Sequence, residues 1–305
     1  PQEGSLSEAA YGNNQFIAVG SYGAILTSPD GATWTVRSSG TTNHLESVTF
    51  SNKQFITVGD SGTILTSPDG AVWTERSVAA TCRLSSVTYG NSQFIVVGKN
   101  YSYTSTILTA PDGATWTERS SGKSSNLKSV IYGNNQFIAI GDSTILTSPD
   151  GLTWTKRSFG TAQRFYSVTY GNNQFVVSGA WKGADLILTS PDGLTWTKRL
   201  FRGTSLVTYC NNQFIAVDNR IIFTSPDGVT WTKRSYVTRY NLCSVTYGNN
   251  QFIAVSSRTI FTSPDVVTWT VSGHTIFTSS DVVTWTKNFF GTENDLSSVT
   301  FGNNQ

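Results

Sequence analysis

The sequence predicts an all-β fold, a seven-bladed β-propeller of four-stranded antiparallel blades, with residues 1–305 forming a single domain. Three observations predict it. A unit of about 39 residues recurs along the chain, and self-similarity near that period marks a propeller or a solenoid. Inside each unit the hydrophobic pattern has the period of strands rather than helices. Each unit also grades from segments apolar on both faces to one that carries Lys and Arg, as a blade does from its interior to its rim.

Two landmarks set the register. Gln-Phe recurs at Phe16, Phe55, Phe94, Phe137, Phe175, Phe214 and Phe252, at intervals of 38 to 43 residues. A Ser-Pro-Asp-Gly-x-Thr-Trp segment, or a close variant, ends at Trp34, Trp73, Trp116, Trp154, Trp196, Trp231 and Trp269, with a weaker copy at Trp285. The first strand of a unit, A, is typified by Leu84–Tyr89. Gly-Asn-Asn after it supplies a hairpin turn, because Gly and Asn tolerate positive φ. Strand B, as in Gln136–Ile140, is apolar on both faces and must be sandwiched. Strand C is typified by Thr144–Ser148. Strand D, as in Thr153–Ser158, is polar and charged and suits a sheet edge, where charge deters pairing with another chain.

Between C and D lies the Ser-Pro-Asp-Gly turn, the box. Asp30, Asp69, Asp112, Asp150, Asp192, Asp227, Asp265 and Asp281 are placed to accept backbone N–H bonds within it. Pro29 presets one φ and Gly31 permits the left-handed one. Trp34 and its equivalents then pack inward. Ser28–Trp34 and its copies resemble the Asp-box, or BNR, motif of sialidase-like and photosystem-assembly-factor-like propellers. The resemblance covers nearly the whole chain, and it implies the same placement of the box between the third and fourth strands. No box carries the set of oxygen ligands that calcium requires, so neither a metal nor a cofactor is expected.

Two copies depart from the rule. At Asp265 and Asp281 the next residue is Val266 or Val282, so a distorted turn is expected there. Residues 259–270 are nearly repeated as 275–286, a duplicated C–D hairpin with no A or B strand between. It either widens one blade to six strands or starts an incomplete eighth blade; seven blades are preferred. A-like strands occur at both Leu6–Tyr11 and Leu296–Phe301, one more than a ring of seven needs, so one of them is expected either to be displaced or to pair across the termini. Phe301–Gln305 stops where every other copy continues into Phe, which reads as an interrupted repeat.

Composition narrows the functional classes. A net charge of +2 is too mild to point to nucleic acid. No apolar run approaches the ~20 residues of a membrane span. Cys82, Cys210 and Cys243 form neither a disulfide framework nor a zinc site. The compartment is left open, with a secreted or periplasmic setting favoured, and the sequence carries no signal of oligomeric state.

Binding is expected on one face of the disc. With strands running up and down, the near-identical A–B turns and boxes share a face and look structural. The divergent B–C and D–A loops share the other, and varied loops on a rigid scaffold are where binding resides. Aromatic and basic residues there give the candidate ligand set: Tyr22, Tyr101, Tyr103, Arg164, Trp181, Lys182, Arg202, Arg220, Arg239, Tyr240 and Arg258. Trp181 stands out as a Trp outside any box, in the inserted loop 180–185. Arg37, Arg76, Arg119, Arg157, Arg199 and Arg234 recur after the boxes and read as a solvated rim.

Catalysis is disfavoured. The resemblance to sialidases implies an arginine triad, a Tyr–Glu nucleophile pair and an acidic Asp. This chain lacks the Phe/Tyr-Arg-Ile-Pro segment that carries the first of those arginines. Eight of 13 Asp sit in boxes and only six Glu exist, and Glu46, Glu75, Glu118, Glu293, Asp60 and Asp142 are the candidates for a glycosidase pair. His44 and His274 offer no metal cluster and no triad with a marked Ser. The leading expectation is a non-catalytic, multivalent lectin-like binder, since nearly equal blades present nearly equal clefts. The alternative is a protein-interaction scaffold or assembly factor, and a glycoside hydrolase ranks last. A glycan or a protein is thus the expected partner.

Overall fold

A computed structural model describes residues 5–290 except 77, 79–81, 103, 121–125, 158–163, 182–183, 201–205, 219–220, 237–240, 257–258, 267–269 and 280–284. Seven antiparallel sheets follow in chain order and close into a seven-bladed β-propeller. The first blade is Leu6–Gly12, Gln15–Gly20, Ile25–Ser28 and Thr35–Arg37, paired in that order from axis to rim. The innermost strands of the next five blades are Leu45–Ser51, Cys82–Gly90, Leu127–Gly133, Arg164–Gly171 and Leu206–Cys210. Leu242–Gly248 begins the seventh and packs against Leu6–Gly12, closing the ring.

The B strands explain why the ring holds. Phe16 and Ala18 join a core cluster with Ile253, Val255 and Ile260 of the seventh blade. Ile17 and Val19, pointing the other way, join Leu45, Phe55 and Leu65 of the second. Alternate residues of one strand thus serve two seams, which is why B is apolar throughout. The D strands at the rim are short and exposed, and each rim arginine ties back to strand C. Arg37 Nε donates to Thr27 Oγ1 at 2.9 Å, and Arg157 Nε to Thr147 Oγ1 at 2.9 Å.

Three further devices repeat around the ring. The Gly of Tyr-Gly-Asn-Asn is a notch for the next blade: a Cβ on Gly12 would fall 2.1 Å from the Phe50 ring. The Gln of Gln-Phe reaches the next blade's box, with Gln15 Nε2 donating to Asp69 O at 2.6 Å and Gln136 Nε2 to Asp192 O at 2.7 Å. Near the axis a serine clasps the next blade's backbone. Val87 N donates to Ser47 Oγ at 3.3 Å, Val130 N to Ser86 Oγ at 3.2 Å and Val168 N to Ser129 Oγ at 3.2 Å.

The structure corrects several expectations. Every blade is built from contiguous chain, so closure needs no overlap: Leu6–Gly12 lies in the first blade, and Ala9 N donates to Ser244 Oγ at 3.4 Å across the closing seam. Leu296–Phe301 lies outside the described residues. Among the described residues the duplicated hairpin makes neither a six-stranded blade nor an eighth. Thr270–Ser279 runs on as one ten-residue strand, and Trp285–Phe290 pairs with it as the fifth strand of the seventh blade. The fusion works because Thr275–Ser279 follows the fourth strand without a breaking turn. At Asp265 the described part of the box, residues 263–266, keeps the turn seen in the other blades. Val266 takes φ 68, its N–H donates to Ser263 Oγ at 2.8 Å, and Ser263 Oγ donates to Asp265 Oδ1 at 3.1 Å. Burial of Val266 in the core between the sixth and seventh blades offsets the strain of that backbone. Asp281, Val282 and Trp269 lie outside the described residues, as do the side-chain surroundings of Trp285.

The expected loop 180–185, and the third-blade connection beyond Lys99, are extended hairpins. Strands pair through Lys99↔Ser105 in the third blade and Trp181↔Ala184 in the fifth, so Trp181 ends a strand. In both blades the ladder continues beyond the length of the other units.

Candidate functional site

The box is a self-contained turn. Asp30 Oδ1 accepts from Thr33 N at 2.7 Å, Ala32 N at 2.9 Å and Ser28 Oγ at 3.0 Å, while Trp34 Nε1 donates to Gly31 O at 2.9 Å. The same bonds recur around Asp69, Asp150, Asp192 and Asp227. At Asp112 the serine is replaced by Ala110, and the two backbone bonds remain. Trp73, Trp116, Trp154, Trp196 and Trp231 make the same bond to their box glycine. Gln–box bonds between blades place the A–B turns and boxes on one face. That face also exposes apolar tips, among them Val72, Leu152 and Leu194.

The opposite face carries two adjoining cavities over the first three blades. One, of about 770 Å³, is lined by residues 21–26 and 36–43. The other, of about 520 Å³, is lined by Thr42, Asn43, His44, Asp60, Ser61, Arg83, Lys99, Asn100 and Tyr101. Thr42 and Asn43 line both. The shared wall is held firmly: Gly23 N donates to Asn43 O at 2.9 Å, Asn43 N to Thr41 Oγ1 at 3.1 Å, and Asn43 Nδ2 to Thr63 Oγ1 at 2.9 Å. A tight turn with Tyr22 at φ 58 and Gly23 at φ 67 projects Tyr22 outward, 49% exposed. Tyr101, at the tip of the long third-blade hairpin, is 70% exposed.

A polar network joins these walls. His44 Nδ1 lies 2.9 Å from Ser21 Oγ, and its Nε2 lies 3.1 Å from Ser7 Oγ and 3.3 Å from Glu46 Oε1. Arg83 bridges Glu46 and Asp60, its Nε 3.5 Å from Asp60 Oδ1. An extra residue on the innermost strand places this cluster: register shifts fall between Leu6 and Glu8 and between Leu45 and Ser47, flanking Ser7 and Glu46. Burial alone would raise the Glu46 carboxyl, but hydrogen bonding to His44 and the Arg83 charge outweigh it and hold the pKa below the usual value. A glycosidase acid needs the opposite shift. With Glu46 and Asp60 both bound to Arg83, the arrangement suits recognition by hydrogen bonds more than proton donation.

Of the expected ligand residues, Tyr22 and Tyr101 flank these cavities. Arg164 lies on the fifth blade's innermost strand, bridged to Asp142 through the backbone and lining neither cavity. Trp181 is placed by its backbone alone. Tyr103, Lys182, Arg202, Arg220, Arg239, Tyr240 and Arg258 lie outside the described residues. His44, Glu46, Asp60 and Arg83 were not in that set. A signal existed: His44 and Arg83 are polar residues of the divergent D–A segments, though nothing in the sequence joins them to Ser7 and Ser21. Among the described residues no group of three His, Cys, Asp or Glu is placed to hold a metal ion, and no helix is long and apolar enough to cross a membrane.

No family model matches the chain, and no curated protein matches it in sequence. Solved structures match in fold. YCF48 from Cyanidioschyzon merolae aligns with 17% identity and a TM-score of 0.63 over 84% of this chain and 94% of its own. A structure described as YCF48 bound to D1 peptide aligns with 16% identity and a TM-score of 0.65 over 84% of this chain and 90% of its own. A streptogramin B lyase aligns with 10% identity and a TM-score of 0.71 over 83% of this chain and 90% of its own. At these identities the likeness is one of architecture.

Proposed function

We propose that the chain is a non-catalytic interaction scaffold of the Asp-box kind, holding an extended segment of a partner polypeptide against the loop face. The observation that carries this reading is the pair of adjoining cavities, about 770 and 520 Å³, which share the wall Thr42–Asn43 and are flanked by exposed Tyr22 and Tyr101. Aromatic side chains on stiff turns are typical anchors of protein interfaces, and the hydroxyls, amides and charges between them can pair with a peptide main chain. A propeller of the same architecture is described as bound to a peptide, which favours this reading over a glycan. A multivalent lectin rests on equivalent sites, whereas the two cavities differ in size and lining.

Selection from a displayed linear-peptide library, run beside a glycan array, tests the reading. A peptide bound by the full chain should weaken at least tenfold with Tyr101→Ala, about 1.4 kcal/mol. Leu194→Ala on the opposite face should leave it unchanged. A glycan array returning several equivalent sugar sites, with no peptide selected, overturns the proposal in favour of the lectin.

A further inference from the structure

The geometry points to a site for a protonated primary amine in the central channel, with the Glu8 carboxylate as its counter-ion. The innermost strands of all seven blades line this channel, which encloses about 300 Å³. That is room for roughly ten waters, hence for an aminoalkyl group and part of its hydration.

Comparison of the blades isolates Glu8. At the serine-clasp position the chain carries Ser47, Ser86, Ser129, Ser167 and Ser244, with Leu206 in the sixth blade and Glu8 in the first. Glu8 Oε2 accepts the Val48 N–H at 2.8 Å and so performs the clasp. Serine suffices for that in the neighbouring seams, so the clasp does not account for the charge. Among the described residues, Glu8 is the sole Asp, Glu, Lys, Arg or His in the channel lining. Among the described residues no cation pairs with it, and Glu46, the ionised group that acts on it, has the same sign. Burial raises its pKa, with bonds from Ser47 and Val48 opposing the rise. A half-buried carboxylate with no cation beside it keeps its charge at a cost, and a bound cation lowers that cost.

The channel's chemistry selects the cation. One carboxylate among hydroxyls offers an ammonium one charged acceptor and neutral acceptors, such as Ser47 and Thr49, for its remaining N–H groups. A divalent metal would call for several carboxylate or carbonyl ligands. The amine is either a free small molecule or a lysine side chain of a partner. This site stands apart from the paired cavities, and it can fail without the peptide reading failing.

Calorimetric titration of the full chain with n-butylammonium tests the site, with sodium as the control ion. Saturable one-to-one binding is expected, weakened at least tenfold in Glu8→Ser. That variant installs the residue used by five other blades and should keep the parent Tm; Glu8→Gln serves as a second test should it fold poorly. Equal binding by wild type and both variants, no saturable binding to wild type, or equal competition by sodium each overturns the proposal. A lysyl peptide that binds more tightly than butylammonium, and more tightly than its norleucine counterpart, supports the site with a partner side chain as the source. A free amine binding as tightly as that peptide supports it with a small molecule as the source.

Discussion

Each box aspartate acts within a handful of atoms. The backbone N–H groups of Thr195 and Leu194 hold the Asp192 carboxyl down at about 2, against an ordinary 3.8. Because the folded carboxylate binds a proton less readily than the unfolded one, its stabilisation is present above pH 4 and is lost as pH falls from there toward 2. Asp30, Asp69, Asp150 and Asp227 shift the same way, so acid should act on the boxes together. We expect urea midpoints to drop between pH 4 and 2. Asp192→Ala should lower stability at pH 7 by about 1 kcal/mol and reduce the slope of that drop. The box glycine is equally local. Gly151 sits at φ 72, and a Cβ there would lie 2.6 Å from Ile95 Cδ1. Gly151→Val should therefore cost about 2–3 kcal/mol, read as a shifted urea midpoint; a neutral outcome would show that the seam yields as it does at Val266.

The seams between blades differ, and one departs from the rest three times. Between the sixth and seventh blades, Leu206 stands where a clasping serine is expected, Cys210 replaces the notch glycine, and Val266 replaces the box glycine. The thiol of Cys210 is pushed up to about 12 by burial, so it packs there as an apolar group. In hydrogen exchange the Val245 amide, facing Leu206, should exchange at least tenfold faster than those of Val87, Val130 and Val168. Equal protection at all four would remove the idea of a weak seam. Conversely, Ser47→Leu should cost about 1–2 kcal/mol, because the Val87 N–H loses its partner away from water.

At the scale of the molecule, closure relies on packing and bonds between complete blades rather than on an exchanged strand. Phe16, Ala18 and Trp34 meet Ile253 and Val255, Ala9 N meets Ser244 Oγ, and Gln251 Nε2 donates to Asp30 O. The fifth strand of the seventh blade lies outside its fourth. Removing residues from 280 onward should then leave a cooperatively unfolding ring with Tm within about 4 °C of the parent. A broad, non-cooperative melt would assign the closing role to the added strand instead.

Blade number, strand order and the turn face were legible in the amino-acid pattern, because they follow from local periodicity, charge and turn chemistry repeated seven times. Phe16, Asp30 and Trp34 do much the same thing in every unit, and repetition makes such roles readable. The retained turn at Val266, the merged strand Thr270–Ser279 and the hairpin running through Trp181 were decided by neighbours, since burial and continued pairing overrode the local signal. So were the meeting of His44 with Ser7 and Ser21 and the place of Glu8 on the axis. These join residues from different blades, and their chemistry exists only once the ring has brought those blades side by side.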